Sequence, residues 1–347
     1  MCRIVVFVVL LVLVRFGWGA DQVTLGWLDD VRFEQHDTGP GHPESPERLR
    51  LIRAVVAQSP LAAGLLRLES REAVRADLLL VHSATYLDLL ESEIAAGRRV
   101  LSTGDAMISP GSLTAAKLAV GGILVACDTV LDGKARRAYC AVRPPGHHAE
   151  PERGMGFCLY SNVAIAARHL MERRALTRVL IIDVDVHNGN GTYAALKADP
   201  RAFQFQLHQH GIYPGSGIRA GAGREDETGE GAARDHTINI SLPAGSGDVV
   251  ILTALRERLN PAMEKFRPQF VLVSAGYDAH ENDPLGGLAI TTDGYRRIYA
   301  ELAALADRHC DGRLVAALEG GYSKDLGAAV VATLTGLANE AQAIPAK

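Results

Sequence analysis

An α/β fold, in one domain around a parallel sheet covered on both faces by helices, is what this 347-residue sequence predicts. Five short apolar, β-branched runs, at 138–142, 179–184, 203–207, 270–274 and 314–318, read as strands buried on both faces. Stretches with helical spacing flank them, at 113–131, 162–172, 249–266 and 293–308. Such alternation is the pattern of strand–helix–strand units, which leave a parallel sheet between helical layers. Each of the five runs also ends in unusual polar residues, and ligands of open parallel sheets sit beyond the carboxyl ends of the strands.

Taken in chain order, the first twenty residues stand apart. Arg3 precedes an unbroken apolar run over 4–14, and Gly17-Trp18-Gly19-Ala20 follows. The run falls short of the roughly 20 apolar residues of a membrane helix and has the form of a short signal peptide. Export or membrane attachment is the expectation, and a cytoplasmic protein with a tail from a misassigned start is the alternative. Either way, 1–20 are excluded from the fold and 21–347 form the domain. Ser45-Pro46-Glu47-Arg48 opens a helix over 49–58, with Pro at a position where its missing N–H costs nothing. The Gly-rich segment 211–231 is expected to be a long surface loop, because cutting the domain there would leave two partial sheets with open edges.

Composition narrows the function. With 48% hydrophobic and 22% charged residues the chain can bury a sizeable core. A formal net charge of −4 provides no basic field for nucleic acid. The five cysteines, Cys2, Cys127, Cys140, Cys158 and Cys310, form no CxxC pair, so neither a disulfide framework nor a thiolate metal site is indicated. Cys158 reads as a packed thiol rather than a nucleophile.

The strand ends carry the chemistry. In Ile181-Ile182-Asp183-Val184-Asp185-Val186-His187, alternation places Asp183, Asp185 and His187 on one side of the backbone. Two carboxylates and an imidazole buried together are costly without a cation, whereas a helix cap would need only one Asp. Asp185, His187 and Asp278 form an Asp/His/Asp set that leaves a coordination position open, as catalytic zinc sites do. Mixed nitrogen and oxygen ligands suit zinc better than magnesium, although Fe(II), Co(II) or Mn(II) would accept them. His280 reads as a loop residue. His147-His148, behind Arg143-Pro-Pro-Gly146, read as a general acid and base whose basicities separate if Asp183 bonds one ring and Asn190 the other. Tyr322, in Glu319-Gly-Gly-Tyr322, reads as a hydroxyl donor to an oxyanion.

With these residues in place, the chain resembles the histone deacetylase superfamily, in its bacterial deacetylase-like, acetylpolyamine amidohydrolase and acetoin-utilisation branch. The resemblance runs from His36 to Tyr322. Its marks are His36-Asp-Thr-Gly39, His42-Pro-Glu-Ser-Pro-Glu-Arg48, Val142-Arg-Pro-Pro-Gly-His-His-Ala149, Met155-Gly-Phe-Cys158, Asp183-Val-Asp-Val-His-Asn-Gly-Asn-Gly191, Tyr213-Pro-Gly-Ser216, Ser274-Ala-Gly-Tyr-Asp278 and Glu319-Gly-Gly-Tyr322. It implies an arginase-like fold with a central eight-stranded parallel sheet. The implied reaction is hydrolysis of an N-acetylated amine, on an acetylated protein lysine or a small acylated amine, at one Zn²⁺ held by Asp185, His187 and Asp278. It further implies that Asp183 orients His147, that His148 is the better general base, and that either ring protonates the leaving amine. Phe157 and Tyr213 would grip the aliphatic stem of the substrate, Gly156 would lie at the acetyl group, and Arg48 would lie below the pocket. A structural K⁺ near Asp183, Asp185 and Leu207 is also implied, and Asp105 matches by spacing a residue that holds the substrate backbone.

Leu285 stands where polyamine-selective relatives carry Glu, which favours acetyl-lysine-like substrates. Asn188 and Tyr213 also depart from commoner family residues. Three readings compete with a zinc deacetylase: an acetylpolyamine amidohydrolase, a two-manganese ureohydrolase on a related fold, and a non-catalytic module that binds acetylated ligands. The ureohydrolase needs a second carboxylate set, for which Asp283 alone is poor, and the module should lack Tyr322 or one of the paired histidines.

Overall fold

The computed structural model describes residues 24–218 and 222–338. Its centre is one sheet of eight parallel strands: β1 (Leu25–Leu28), β2 (Leu66–Leu68), β3 (Arg137–Cys140), β4 (Val179–Asp183), β5 (Ala202–Gln209), β6 (Thr237–Leu242), β7 (Phe270–Ala275) and β8 (Leu314–Leu318). Across the sheet they run β2-β1-β3-β8-β7-β4-β5-β6. The five runs legible in the sequence are the five consecutive central strands, β3-β8-β7-β4-β5. Covered on both faces, β4, β7 and β8 carry apolar residues in near-continuous runs, whereas β5 alternates apolar residues with buried Gln204, Gln206 and His208. The three others lie toward the edges, where β2 is three residues long with two exposed and β6 alternates buried with half-buried positions. β1, Leu-Gly-Trp-Leu, is fully buried.

Register gathers the site. Cys140 pairs with Ala317, Ala317 with Ser274, Ser274 with Asp183, and Asp183 with Gln206. β3, β8, β7 and β4 therefore end within one residue of the same row, and β5 crosses that row and runs on to Gln209. β3 and β4 follow each other in sequence but are separated by β8 and β7. The neighbours β4 and β7 connect in opposite directions, β4 to β5 and β7 to β8. Such a reversal of strand order opens a crevice at the carboxyl end of the sheet.

Helices close the faces. Ser112–Leu131 is long and apolar enough to span a membrane, yet 67% of that stretch is buried against the sheet and its neighbours. Gly121 brings it close, since a Cβ there would lie 2.0 Å from the Arg71 carbonyl oxygen. Leu326–Leu337 packs on Thr292–Cys310 and on Glu47–Gln58. The stretch read as one helix over 249–266 is helical throughout but not uniform. A π-turn, Leu255–Leu259, joins Asp248–Ala254 to Asn260–Phe266. Pro261 supplies the reason: it has no N–H to give, and a shifted hydrogen-bond ladder accommodates that gap. The leader read at 1–20 and Cys2 lie outside the described residues.

Candidate active site

Asp185 and His187 follow β4, and Asp278 follows the adjacent β7. His187 Nδ1 lies 3.0 Å from Asp185 Oδ1 and 3.1 Å from Asp278 Oδ2. One ligating atom from each residue falls within 4.8 Å of the others. Backbone amides aim the two buried carboxylates: Val186 N–H donates to Asp278 Oδ1 and Gly320 N–H to Asp185 Oδ2, each at 2.9 Å. Gly320 has to be glycine here, because a Cβ would fall 2.1 Å from Asp278 Oδ2.

The electrostatics fit a cation. Burial and the Asp185 carboxylate push Asp278 up to about 7. Burial opposes a charge on His187, yet hydrogen bonds to Asp185 and Asp278 raise it to about 10. His187 and Asp278 thus hold protons beside an Asp185 carboxylate kept ionised, and a divalent ion can replace those protons with all three as deprotonated ligands. This is the one group of three or more His, Cys, Asp or Glu side chains among the described residues with ligating atoms so close. The second carboxylate set of a two-metal ureohydrolase is not found among them.

The paired imidazoles stand beside it, ring centroids 4.0 Å apart. His147 Nδ1 lies 3.0 Å from Asp183 Oδ2, and His148 Nδ1 lies 2.7 Å from Asn190 Oδ1. Burial disfavours charge on both, but their neighbours divide them. Asp185 and Asp183 raise His147 well above the ordinary histidine value, whereas the cationic sides of His147 and His187 help burial hold His148 well below it. Gly156 packs against His148 at a positive φ of 55°, where a Cβ would sit 2.3 Å from His148 Cδ2.

His147, His148 and His187 line one cavity of about 280 Å³, with Tyr322, Phe157, Tyr213, Leu285, Asp105 and Gly156 around it, and Asp185 and Asp278 lie behind His187. Phe157 stands on the Tyr322 side, its ring 6.2 Å from that of Tyr322. Tyr213 stands on the histidine side, edge-on to His148 at 5.0 Å. Burial pushes the Tyr322 phenol well above its ordinary value, against the Arg48 guanidinium, so it stays a hydroxyl donor.

A sequence profile for the histone deacetylase domain matches residues 42–337. The chain belongs to the histone deacetylase family. It is 38% identical over 291 residues to a probable deacetylase of Archaeoglobus fulgidus, covering 83% of this chain and 79% of that one. It is 37% identical over 316 residues to a histone deacetylase-like amidohydrolase of Pseudomonas aeruginosa, covering 90% and 80%. The crystal structure of the HDA15 HD domain superposes with a TM-score of 0.84 at 32% identity, covering 92% of this chain and 90% of that one. The eight-stranded sheet is accordingly the arginase/deacetylase fold, and the family is one of hydrolases that act as deacetylases.

Within this histone deacetylase fold, the residues singled out from sequence fall in different places. Asp105 is at the cavity wall, its Oδ1 accepting the Gly156 N–H at 2.6 Å. Leu285 is at the rim, 41% exposed. Arg48 does not line the cavity. It lies behind Tyr322, its guanidinium 4.9 Å from the ring centroid, and donates to the Gly321 and Glu319 carbonyls at 2.7 and 2.6 Å. That is support of the Tyr322 loop, not contact with substrate. Nothing in the structure supports the potassium ion: the Asp183 carboxylate is engaged, Oδ1 by the Asp185 N–H and Oδ2 by His147, both at 3.0 Å. His280 bonds Thr292, 3.0 Å away, as a loop residue, and Cys158 is a buried thiol that burial pushes well above its ordinary value.

Three carboxylates went unread as parts of the site. Glu319 accepts the Gly146 and His147 N–H groups at 2.6 and 3.1 Å and so holds the histidine turn. Asp283 accepts the Tyr322 N–H at 2.6 Å. Glu44 is fully buried between Arg143, at 2.6 Å, and Arg48, at 3.2 Å. Glu44 and Glu319 sit inside quoted motifs and Asp283 lies two residues before Leu285, and the acidity of each in a buried loop is the available signal.

Proposed function

We propose that this chain is a zinc-dependent amide hydrolase that removes acetyl groups, acetyl-lysine-like substrates being favoured, to give acetate and a free amine. The observation that carries the reading is the convergence of the Asp185, His187 and Asp278 donors, the two unequal imidazoles and the Tyr322 phenol on a single cavity. Asp185, His187 and Asp278 would hold zinc, which when bound polarises a carbonyl and makes water acidic enough to attack.

The remaining work falls to the chain's own groups. His148, the less basic ring, takes the proton of the attacking water at Nε2. His147, kept cationic by Asp183, stabilises the charge that develops, and the pair returns a proton to the leaving nitrogen. Tyr322 donates its hydroxyl hydrogen to the carbonyl oxygen as that oxygen becomes negative. Phe157 and Tyr213 pack on the apolar stem of the substrate and keep water from it. Leu285 gives the rim an apolar side chain rather than a carboxylate, which favours acetyl-lysine-like substrates over a cationic polyamine tail, and Asp105 stays at the cavity wall with Oδ1 accepting the Gly156 N–H.

The test is a panel assay of the purified protein on acetyl-lysine peptides, acetylpolyamines and other acylated amines, with chelator and with zinc restored. Acetyl-lysine peptides should be hydrolysed fastest, chelator should abolish turnover, and zinc should return it. A zinc-loaded protein that binds acetylated peptides but hydrolyses none would establish the non-catalytic module instead.

A further inference from the structure

Asn190 can face His148 in two ways, and which one it takes decides where the imidazole proton sits. An amide that presents Oδ1 to His148 Nδ1 requires that nitrogen to carry hydrogen, leaving the Nε2 lone pair free. An amide that presents Nδ2 requires the reverse. The far side of Asn190 settles the choice. Its Nδ2 lies 2.7 Å from Glu150 Oε1 and 3.5 Å from Met155 Sδ. A carboxylate and a thioether only accept, so both Nδ2 hydrogens have a receiver there, and the flipped amide would set Oδ1 against them.

Glu150 is built into place. It lies two residues beyond His148 in a turn closed by its N–H donating to the Arg153 carbonyl at 2.9 Å. Its other oxygen, Oε2, stands 4.0 Å from Arg153 Nε, which leaves Oε1 to Asn190. Asn190 is fixed from below, because the next two amides, Gly191 and Thr192, donate to the His147 carbonyl at 3.0 and 3.1 Å.

We infer that Glu150 is a positioning residue that sets the tautomer of His148 through the amide of Asn190, keeping the Nε2 lone pair available to the cavity. The inference rests on the proposed reading of His148 as base. His147 needs no such intermediary, since Asp183 itself only accepts at its Nδ1. Hydrogen is thus held on Nδ1 of both rings by different means, on His147 by a carboxylate directly and on His148 by a carboxylate acting through an amide.

The experiment compares wild type with E150Q and E150K as zinc-loaded proteins carrying ¹⁵N-labelled histidine, with His148→Ala assigning the ring signals. Wild type should show a protonated Nδ1 and an imine-type Nε2 on His148. E150K places a donor-only group behind Asn190 and should reverse that pattern. General-base catalysis contributes about 10²–10⁴-fold, so kcat should fall at least about tenfold in E150K, with KM within about twofold. Gln can donate or accept, so E150Q should show a mixture of tautomers and a kcat roughly two- to fivefold down. A wild-type His148 spectrum in E150K overturns the inference whatever the activity. If E150K does not fold, a wild-type spectrum in E150Q does so. A reversed tautomer with undiminished kcat upholds the inference and removes His148 as the base.

Discussion

Tyr322 owes its place to its neighbours and its backbone rather than to its hydroxyl. The Arg48 guanidinium lies against its ring, Asp283 holds its amide, and Phe157 meets it edge-on. Tyr322→Phe keeps every one of these contacts and removes only the donor. It should therefore lower kcat by about 10²–10³, the usual effect of losing one oxyanion donor, with zinc content and KM little changed. His148→Ala should cost a similar or larger factor, about 10²–10⁴, again with metal retained. Steady-state kinetics beside metal analysis of each variant checks both, and full activity in either would remove that residue from the chemistry. At this scale the sequence was most informative where residue types were improbable for packing. Paired histidines and alternating aspartates at strand ends are expensive to bury, so their chemistry shows through. Arg48 was legible in place but not in task, because an arginine in a buried motif looks the same whether it faces a ligand or braces a loop.

Among elements, legibility followed burial. The central strands announce themselves because both faces are covered, whereas β2 and β6 at the edges carry mixed residues and do not stand out. β1 was hidden for another reason: its four residues come soon after the apolar leader and add little contrast. The turn after β8 shows how an element end serves the metal set. Gly320 passes so close to Asp278 and Asp185 that Gly320→Ala must displace one of them. Outer-shell changes of this kind typically weaken metal binding about 10–100-fold, and a loss in that range is expected here. Competition with a chromogenic chelator measures it, while an unchanged sheet by circular dichroism would show the effect to be local. Unaltered zinc affinity would mean that the turn relaxes without touching the carboxylates.

Across the whole molecule, three buried histidines outside the Asp185, His187 and Asp278 set tie stability to pH. Burial pushes His36, His82 and His208 down to about 4. For His82 the geometry explains why: Nδ1 faces the Pro151 carbonyl at 3.3 Å and Nε2 accepts the Ser161 N–H at 2.9 Å, so a second ring proton would point at a donor. In the unfolded chain each ring titrates near 6.5. Between about 6.5 and about 4 the unfolded state therefore binds protons that the folded state refuses. Stability is full above about 6.5 and falls as pH drops, by up to roughly 1.4 kcal/mol per pH unit for each such ring. Glu319, which burial pushes up to about 7, opposes about one ring's worth of this loss, because the fold binds a proton that the unfolded chain has already released. Paired carboxylates add to the loss only lower down. Glu44 works against its own burial, but Arg143, His36 and Arg48 keep it below the ordinary carboxylate value, so its contribution is lost only as pH falls through that lowered value. Denaturant unfolding of the zinc-loaded protein should thus show a midpoint that already declines between pH 6.5 and 5, before ordinary carboxylates titrate. His82→Gln should flatten part of that slope, and a midpoint constant down to pH 5 would show that these rings accept protons within the fold.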